Sequence, residues 1–298
     1  MKKIAISLGD LNGIGVQLAL QNHNNIKKYC IPIYCIDKKL LDQASKLLNI
    51  KIPKDFKIYG KYDYFKIKPS TVSKKSGVFS YNSFLTAIKL AKQKKVDSVC
   101  TLPINKEAWN KAGINYVGHT DMLRDIFKKD AIMMLGVSKM FVALYTEHIA
   151  LKKVAKQIDK KKLIRFFTDF YNCIEKYDKP IAILGLNPHA GDNGVLGTEE
   201  FIIQKAIKKV NKKLNSRFTL VVPDIAFTPH TRKSFKYFVA MYHDQGLAPL
   251  KALYFEDGIN VSLNLPIIRT SVDHGTAFDI AYKNKVLSNK SYINAIKY

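Results

Sequence analysis

The chain has 298 residues, of which 47% are hydrophobic and 24% are charged, so it can bury a sizeable core as one large or two smaller domains. No apolar run reaches the roughly 20 residues that span a bilayer, and no signal peptide begins the chain, so we expect a cytoplasmic protein without a membrane partner. The net charge of +25 comes almost entirely from scattered lysines, which indicates a solvated surface rather than a nucleic-acid partner.

Strand-like and helix-like stretches alternate along the chain, which is typical of an α/β protein with a largely parallel sheet. Apolar runs predict strands at residues 4–8, 31–36, 96–102, 131–135, 141–145, 181–186, 218–222 and 237–241. Periodic stretches predict helices from about Gly13 and Lys38, over residues 78–94 and 198–214, and as two lysine-rich helices after residue 145. The four cysteines form no C-x-x-C pair, which favours free thiols, most of them buried.

Polar residues cluster directly after these strands, where open α/β folds bind ligands. GDLNGIG (residues 9–15) does not match the G-x-G-x-x-G dinucleotide fingerprint, and it predicts either a tight turn or a ligand-contacting loop. Lys106, after the strand that ends in TLPINK, is a candidate anion contact or base. His119 and Thr120 lie at a predicted helix start, where backbone N–H groups favour anions.

Three of the seven histidines, His148, His189 and His243, each follow a predicted strand. A single histidine is more often structural than a ligand, but three imidazoles with an open position form a catalytic divalent-metal site. No H-x-x-x-H pair supports the set, so the spacing alone leaves both interpretations open. His23 and His230 are interpreted as surface residues.

MYHDQGLAPLK (residues 241–251) concentrates polar chemistry directly after an apolar strand. His243 can bind a metal or move a proton, and Asp244 and Gln245 can orient it. Lys251 adds a positive charge beyond a predicted Gly-Leu turn. The segment therefore predicts a functional site at the carboxyl end of a strand.

Several segments together resemble the 4-hydroxythreonine-4-phosphate dehydrogenase family of vitamin B6 biosynthesis. In chain order they are GDLNGIG, TLPINK with AGINYVGHT, LNPHAGDNGVLGTEE, MYHDQGLAPLK and GINVSLNLPIIRTSVDHGTAFDIA. The resemblance implies two α/β/α domains of the isocitrate/isopropylmalate dehydrogenase type, an active site in the cleft between them, and a homodimer. It implies a nucleotide-binding domain of residues 1–117 and 246–298 and a metal and dimerisation domain of residues 118–245.

The resemblance also implies residue roles. A divalent metal (zinc, magnesium or cobalt), in a site shared between the two subunits, would be held by His148, His189 and His243. The residues that match the family's substrate contacts are His119, Thr120, Lys251, Asn260 and Arg269. The loop that would hold NAD contains Asp273, His274 and Gly275. The candidate general bases are Lys251 and, through a water molecule, Asp224.

The reaction implied by the resemblance is the NAD-dependent oxidation of 4-phosphohydroxy-L-threonine. Its β-keto acid product would lose carbon dioxide to give 3-amino-2-oxopropyl phosphate. The chain departs from the family's usual pattern in the first loop, at Glu147, and around Asp224. A paralogous dehydrogenase of a phosphorylated four-carbon sugar acid would share this chemistry and stays open. A lysine-rich nucleic-acid binder is the distant alternative, and it would need a contiguous basic face.

Overall fold

The structure is a computed structural model that describes residues 1–283 and 285–298. The chain divides into two compact units. Unit 1 contains Met1–Asp130 and Ile259–Tyr298, and unit 2 contains Ala131–Gly258. The boundaries expected from the sequence stand after residues 117 and 245, whereas this division assigns His119 and Thr120 to unit 1 and Lys251 to unit 2.

The described residues form eleven strands and ten α-helices. The strands are β1 (Lys3–Ser7), β2 (Ile31–Cys35), β3 (Lys57–Ile58), β4 (Ser98–Thr101), β5 (Ile132–Val137), β6 (Met140–Leu144), β7 (Ile181–Leu184), β8 (Phe218–Val221), β9 (Tyr237–Ala240), β10 (Ile259–Leu263) and β11 (Ile268–Val272). The helices are α1 (Gly15–Ile26), α2 (Lys38–Leu48), α3 (Lys74–Lys92), α4 (Lys106–Lys111), α5 (His119–Phe127), α6 (Lys160–Cys173), α7 (Glu199–Leu214), α8 (Pro229–Ser234), α9 (His243–Tyr254) and α10 (Lys290–Lys297). None of these helices combines the length and the apolar character that crossing a bilayer requires.

The strands of unit 1 follow the order β3-β2-β1-β4-β11-β10. Neighbouring strands are parallel except β10, which runs antiparallel to β11. β10 and β11 were not predicted from apolar runs, because INVSL and IRTSV carry Asn260, Arg269 and several hydroxyl residues among their apolar positions. These two strands nevertheless contain Asn260 and Arg269, two of the predicted substrate contacts.

The strands of unit 2 follow the order β5-β6-β9-β7-β8. β5 and β6 form an antiparallel hairpin, and β6, β9, β7 and β8 are mutually parallel. The alternating elements and mostly parallel strands of both units confirm the predicted α/β class.

Several helices begin directly after a residue whose side chain caps the first turn. The N-cap side chains of Asp37, Ser73, Asn105 and Asp159 each accept a hydrogen bond from the backbone N–H three residues later. The prediction of two lysine-rich helices after residue 145 was wrong, since only α6 forms there. Residues 151–157 make two short 3₁₀ turns instead, and no side chain caps either of them.

The burial of individual side chains corrects one sequence-based interpretation and agrees with two others. His23 is buried rather than on the surface, because α1 packs it against β2 and its Nδ1 lies 2.9 Å from the Tyr34 hydroxyl. Burial lowers the pKa of His23. His230 is exposed, as predicted. The cysteines are free, and all but the half-buried Cys173 are buried, as expected.

The segment interpreted as a Gly-Leu turn is instead the first part of α9, which begins at His243. Gly246 allows this helix to lie close to the sheet of unit 2. A β-carbon there would approach Val142 Cγ1 to 2.5 Å and Ala240 Cβ to 2.8 Å. The small residue therefore fixes how closely the helix that carries His243 and Lys251 packs on β6 and β9.

We expect Gly246→Ala to lower the free energy of unfolding. Overpacking of a core costs about 1–3 kcal/mol, which exceeds the gain of at most about 1 kcal/mol from replacing glycine in a helix. Urea denaturation measures the difference. Gly118→Ala is the matched control, because no atom lies within 4 Å of the β-carbon it would add. Equal stability of the two variants would contradict the close-packing argument.

The turn after β1 is built around the buried carboxylate of Asp10. Its Oδ1 accepts a hydrogen bond from the Asn12 N–H at 2.9 Å, and its Oδ2 accepts one from the Ser76 hydroxyl at 3.2 Å. Burial raises the pKa of Asp10 from 3.8 to about 6, against the opposing effect of these hydrogen bonds. The folded state therefore binds a proton more tightly than the unfolded chain does.

Asp10→Asn should remove a pH-dependent component of stability. With a raised folded-state pKa, this component is fully present below pH 3.8 and is lost as the pH rises through about 6. The shift corresponds to about 3 kcal/mol at pH 8, where we expect the variant to be the more stable protein. Urea unfolding from pH 4.5 to 8 tests this, with the exposed Asp63→Asn as control. A stability difference that does not change with pH would refute it.

Candidate active site

The predicted metal ligands all follow parallel strands of unit 2. His148 follows β6, His189 follows β7 and His243 follows β9, and the candidate base Asp224 follows β8. Because β6, β9, β7 and β8 are parallel, these segments leave the sheet at the same edge. We call this edge the histidine edge.

Two of the three histidines lie side by side. The ring centroids of His148 and His243 are 5.6 Å apart, with an angle of 43° between the rings. His243 Nδ1 lies 2.7 Å from Asp244 Oδ1, as the sequence predicted for an orienting carboxylate. Such a contact fixes the imidazole and leaves Nε2 as the ring nitrogen that could bind a metal. The two neighbouring imidazoles could supply two ligands of a divalent cation.

Within one chain, the described residues contain no group of three or more histidine, cysteine, aspartate or glutamate side chains close enough to hold a metal. His189 is therefore not gathered with His148 and His243 into one cluster. The three-histidine site, which the family resemblance places between two subunits, remains a prediction.

Gln245 braces the start of α9 rather than contacting His243. Its Oε1 accepts a hydrogen bond from the Met241 N–H at 2.7 Å, and its Nε2 donates to the Gly185 carbonyl at 2.6 Å. The side chain thus ties the end of β9 to the end of β7. It holds together two of the strand ends from which the histidines follow.

His189 belongs to a run of left-handed backbone. Residues 189–193 all have positive φ angles, between 42° and 80°. A non-glycine residue in this region costs about 1–2 kcal/mol, so surrounding contacts must hold the run in place. At Gly191 a side chain would not fit, because a β-carbon there would lie 2.5 Å from Glu200 Oε2.

Glu200, only 3% exposed, holds the residues that immediately precede this run. Its Oε1 accepts hydrogen bonds from the Leu186 and Asn187 N–H groups, at 2.8 and 2.7 Å. The Asn187 amide donates to Oε2 of Glu200 at 2.9 Å and to Oε2 of Glu199 at 2.8 Å. The buried carboxylate therefore fixes the chain immediately before His189. Glu200 was not predicted as a site residue, although it lies in the segment LNPHAGDNGVLGTEE that carries part of the family resemblance.

Arg269 is the central residue of the polar cluster in unit 1. It is 3% exposed, and its guanidinium donates to Thr101 Oγ1 at 2.6 and 3.2 Å and to Ser262 Oγ at 3.2 Å. No carboxylate among the described residues forms a salt bridge with it. Burial lowers the pKa of Arg269 to about 10, so it is still a cation at neutral pH. A buried cation held only by hydroxyl groups is ready to bind an anion.

The other predicted substrate contacts in unit 1 lie in the same part of the fold. Thr120 Oγ1 lies 3.3 Å from Ser262 Oγ. His119 packs edge-on against Phe84, and burial together with the charge of Arg269 holds its pKa well below the usual value. Its buried Nε2 and the buried Oδ1 of Asn260 have no hydrogen-bond partner among the described residues. Buried polar atoms without partners are rare, so these two atoms are candidates for hydrogen bonds to a ligand.

Thr101 and Ser262, which hold the Arg269 guanidinium, were not among the residues predicted from the sequence. Thr101 ends β4, directly before the LPINK segment, so its place at a strand's carboxyl end was the available signal. Ser262 lies on β10, a strand that the apolar pattern did not reveal.

The loop predicted to hold NAD packs against the first glycine loop. The Ile14 N–H donates to the Thr276 carbonyl at 3.1 Å, and a β-carbon on Gly13 would lie 2.8 Å from that oxygen. Residues 9–15 are buried and form a tight turn. In the adjoining loop, Asp273 is partly exposed, and His274 and Gly275 are exposed and accessible to a ligand.

The two candidate bases lie on different elements of unit 2. Lys251 is in the last turn of α9, with its Nζ 5.7 Å from the centroid of the Phe255 ring. Asp224 is exposed in the turn after β8. Lys106 begins α4 in unit 1 and is also exposed, so its assignment as an anion contact stays a prediction.

Comparisons with known proteins agree across nearly the full length of the chain. Residues 28–298 match the family model described as pyridoxal phosphate biosynthetic protein PdxA. The 4-hydroxythreonine-4-phosphate dehydrogenase of Sulfurimonas denitrificans is 62% identical over 297 residues, which cover 99% of this chain and 96% of that protein. The enzyme of the same name from Campylobacter fetus is 55% identical and covers 100% of this chain and 97% of that protein.

Solved structures give the same result. A 4-hydroxythreonine-4-phosphate dehydrogenase from Klebsiella pneumoniae superimposes with a TM-score of 0.85 at 29% identity, covering 100% of this chain and 98% of the other. The enzyme of that name from Burkholderia phymatum gives a TM-score of 0.83 at 30% identity, with coverage of 100% and 97%. The chain therefore belongs to the PdxA family of pyridoxal phosphate biosynthetic proteins.

Proposed function

We propose that the protein is a dehydrogenase that oxidises 4-phosphohydroxy-L-threonine with NAD and a divalent metal. The oxidised product then loses carbon dioxide to give 3-amino-2-oxopropyl phosphate. Family membership and the names of the relatives support a dehydrogenase of pyridoxal phosphate biosynthesis. The observation that carries the proposal is the buried Arg269 cation, which has no carboxylate partner among the described residues.

In this proposal Arg269 binds an anionic group of the substrate, which has both a carboxylate and a phosphate. A planar guanidinium suits such groups because it donates parallel N–H bonds. His119 Nε2 and Asn260 Oδ1, the two buried atoms without partners, hydrogen-bond the substrate's polar groups. Because its pKa is depressed, His119 is neutral near pH 7 and can accept or donate a hydrogen bond according to its tautomer.

His148, His189 and His243 would hold the divalent metal, in a site completed by a second subunit. When bound, the metal acts as a Lewis acid that lowers the pKa of the substrate hydroxyl. Asp244 orients the His243 ring. Glu200 fixes the backbone that leads to His189.

Lys251, or Asp224 through a water molecule, would accept the proton of the substrate hydroxyl. NAD, held by the loop of Asp273, His274 and Gly275, would take up the hydride from the carbinol carbon. The buried first glycine loop packs against this loop. Loss of carbon dioxide from the β-keto acid leaves the electron pair on the α-carbon, which is then protonated.

A substrate comparison tests the proposed reaction. NADH formation is followed by the absorbance of the reduced nicotinamide with 4-phosphohydroxy-L-threonine, with phosphorylated threonate and with phosphorylated erythronate. We expect turnover of the amino acid phosphate, with release of carbon dioxide. Turnover of only the sugar-acid phosphates would replace the proposed substrate with that of the paralogous dehydrogenase.

Arg269→Gln should separate binding from stability. Removing a buried cation that has no carboxylate partner among the described residues should leave the free energy of unfolding unchanged or raise it, because the desolvation cost of the charge disappears. Losing the partner of a bound anion should lower kcat/KM at least 100-fold, which corresponds to about 3 kcal/mol. Urea unfolding and steady-state kinetics measure the two effects. A variant that is destabilised yet retains kcat/KM would show that Arg269 is structural.

His243→Ala should abolish metal binding and turnover while the chain remains folded. Cobalt(II) absorption in the visible range and metal content after gel filtration report binding without relying on activity. The exposed His230→Ala is the matched control, and we expect it to bind cobalt as the unmodified protein does. Full activity of His243→Ala without bound metal would rule out the proposed metal role.

A further inference from the structure

Unit 2 contains a cavity of about 490 Å³ that none of the proposed catalytic residues lines. Five basic side chains line it, namely Lys139, Lys179, Arg232, Lys233 and Lys236. Tyr177 and Tyr254 contribute aromatic walls, and no acidic residue is part of the lining. Concentrating five positive charges around one concavity raises the local positive potential far above that of scattered surface lysines.

The cavity lies at the opposite end of the strands from the histidine edge. Lys139 immediately precedes β6, Lys236 immediately precedes β9, and Lys179 lies two residues before β7. These three strands are parallel, so their starts share the amino-terminal edge of the sheet. The cavity is therefore distinct from the region of His148, His189 and His243.

Several of the cations are held in place. The Lys236 side chain is only 17% exposed, with its Nζ 2.7 Å from Glu175 Oε2 and 5.0 Å from the centroid of the Tyr177 ring. Among the described residues, Glu175 is the single carboxylate in a salt bridge with any of the five. The Lys179 ammonium donates to the Lys233 backbone carbonyl. One carboxylate cannot neutralise five cations.

Arg232 has one N–H group without a hydrogen-bond acceptor among the described residues. Its Nη1 donates to the Tyr254 hydroxyl at 3.1 Å, which fixes the guanidinium against the aromatic wall. Its Nε is buried and has no hydrogen-bond partner among the described residues. A buried guanidinium N–H without an acceptor is costly, and an anion in the cavity would supply that acceptor.

We propose that this cavity is a binding site for a small anion that carries two or more phosphate groups. Arginine and several lysines suit phosphate oxygens, and the volume is in the range of small-ligand sites. A concave site of this size favours a small molecule over the backbone of a nucleic acid, which would require an extended basic groove. The site is independent of the proposed dehydrogenase reaction.

Inorganic pyrophosphate is the probe for this site. Isothermal titration calorimetry at physiological salt should show saturable binding of one pyrophosphate per chain at this site. Hydrogen–deuterium exchange should show protection of residues 229–236 and 138–140 when pyrophosphate is bound. Arg232→Gln and, as a second variant, the exposed Lys139→Gln should each weaken binding, Arg232→Gln at least tenfold and Lys139→Gln at least threefold.

Matched controls separate a built site from general positive charge. Arg217→Gln and Lys161→Gln remove one exposed cation each outside the cavity, and we expect less than a twofold change in affinity. Unchanged melting temperature and dehydrogenase turnover would show that Arg232→Gln is folded. The proposal is overturned if all four variants weaken binding equally, if protection appears only elsewhere, or if a single-stranded oligonucleotide binds as tightly as pyrophosphate.

Discussion

The parallel arrangement of strands is the constraint on which the candidate site depends. In unit 2, the pairings of β6, β9, β7 and β8 bring segments that are far apart in sequence to one edge. His148 and His243 are 95 positions apart in the chain, yet their ring centroids lie 5.6 Å apart. The same parallel pairing gathers the starts of these strands at the other edge, where the basic cavity lies. The strands of unit 2 thus place the three histidines at one edge and the basic side chains of the cavity at the opposite edge.

Arg269 shows how binding chemistry and folding stability conflict in unit 1. A guanidinium removed from water loses hydration energy that two hydroxyl partners replace only in part. Folding alone would favour a carboxylate beside it or an apolar residue in its place. A site for an anionic substrate requires the opposite, since a carboxylate partner would occupy the guanidinium and repel the ligand. Binding an anionic substrate would therefore explain why Arg269 forms no salt bridge among the described residues.

The sequence predicted the fold class and most strands because buried parallel strands are nearly continuous apolar runs. β10 and β11 do not meet this criterion, because the candidate site residues Asn260 and Arg269 interrupt their apolar runs. His23 was misplaced because residue type alone does not show that a buried imidazole would hydrogen-bond the Tyr34 hydroxyl and donate to the Asp55 carboxylate. The resemblance supplied the residue roles, but it could not supply contacts such as that of Thr101 with Arg269.

The backbone before and around His189 shows why local sequence rules fail at this part of the candidate site. Four non-glycine residues of the run 189–193 adopt left-handed conformations that an isolated peptide would avoid. Each of the bonds from Glu200 to Leu186 and Asn187 is ordinary in length, but together they leave the chain few alternative paths. Glu200 lies in the first turn of α7, so this helix anchors the chain that immediately precedes His189. A contact between residues outside the run, which no local sequence rule contains, thus limits the paths that the run can take.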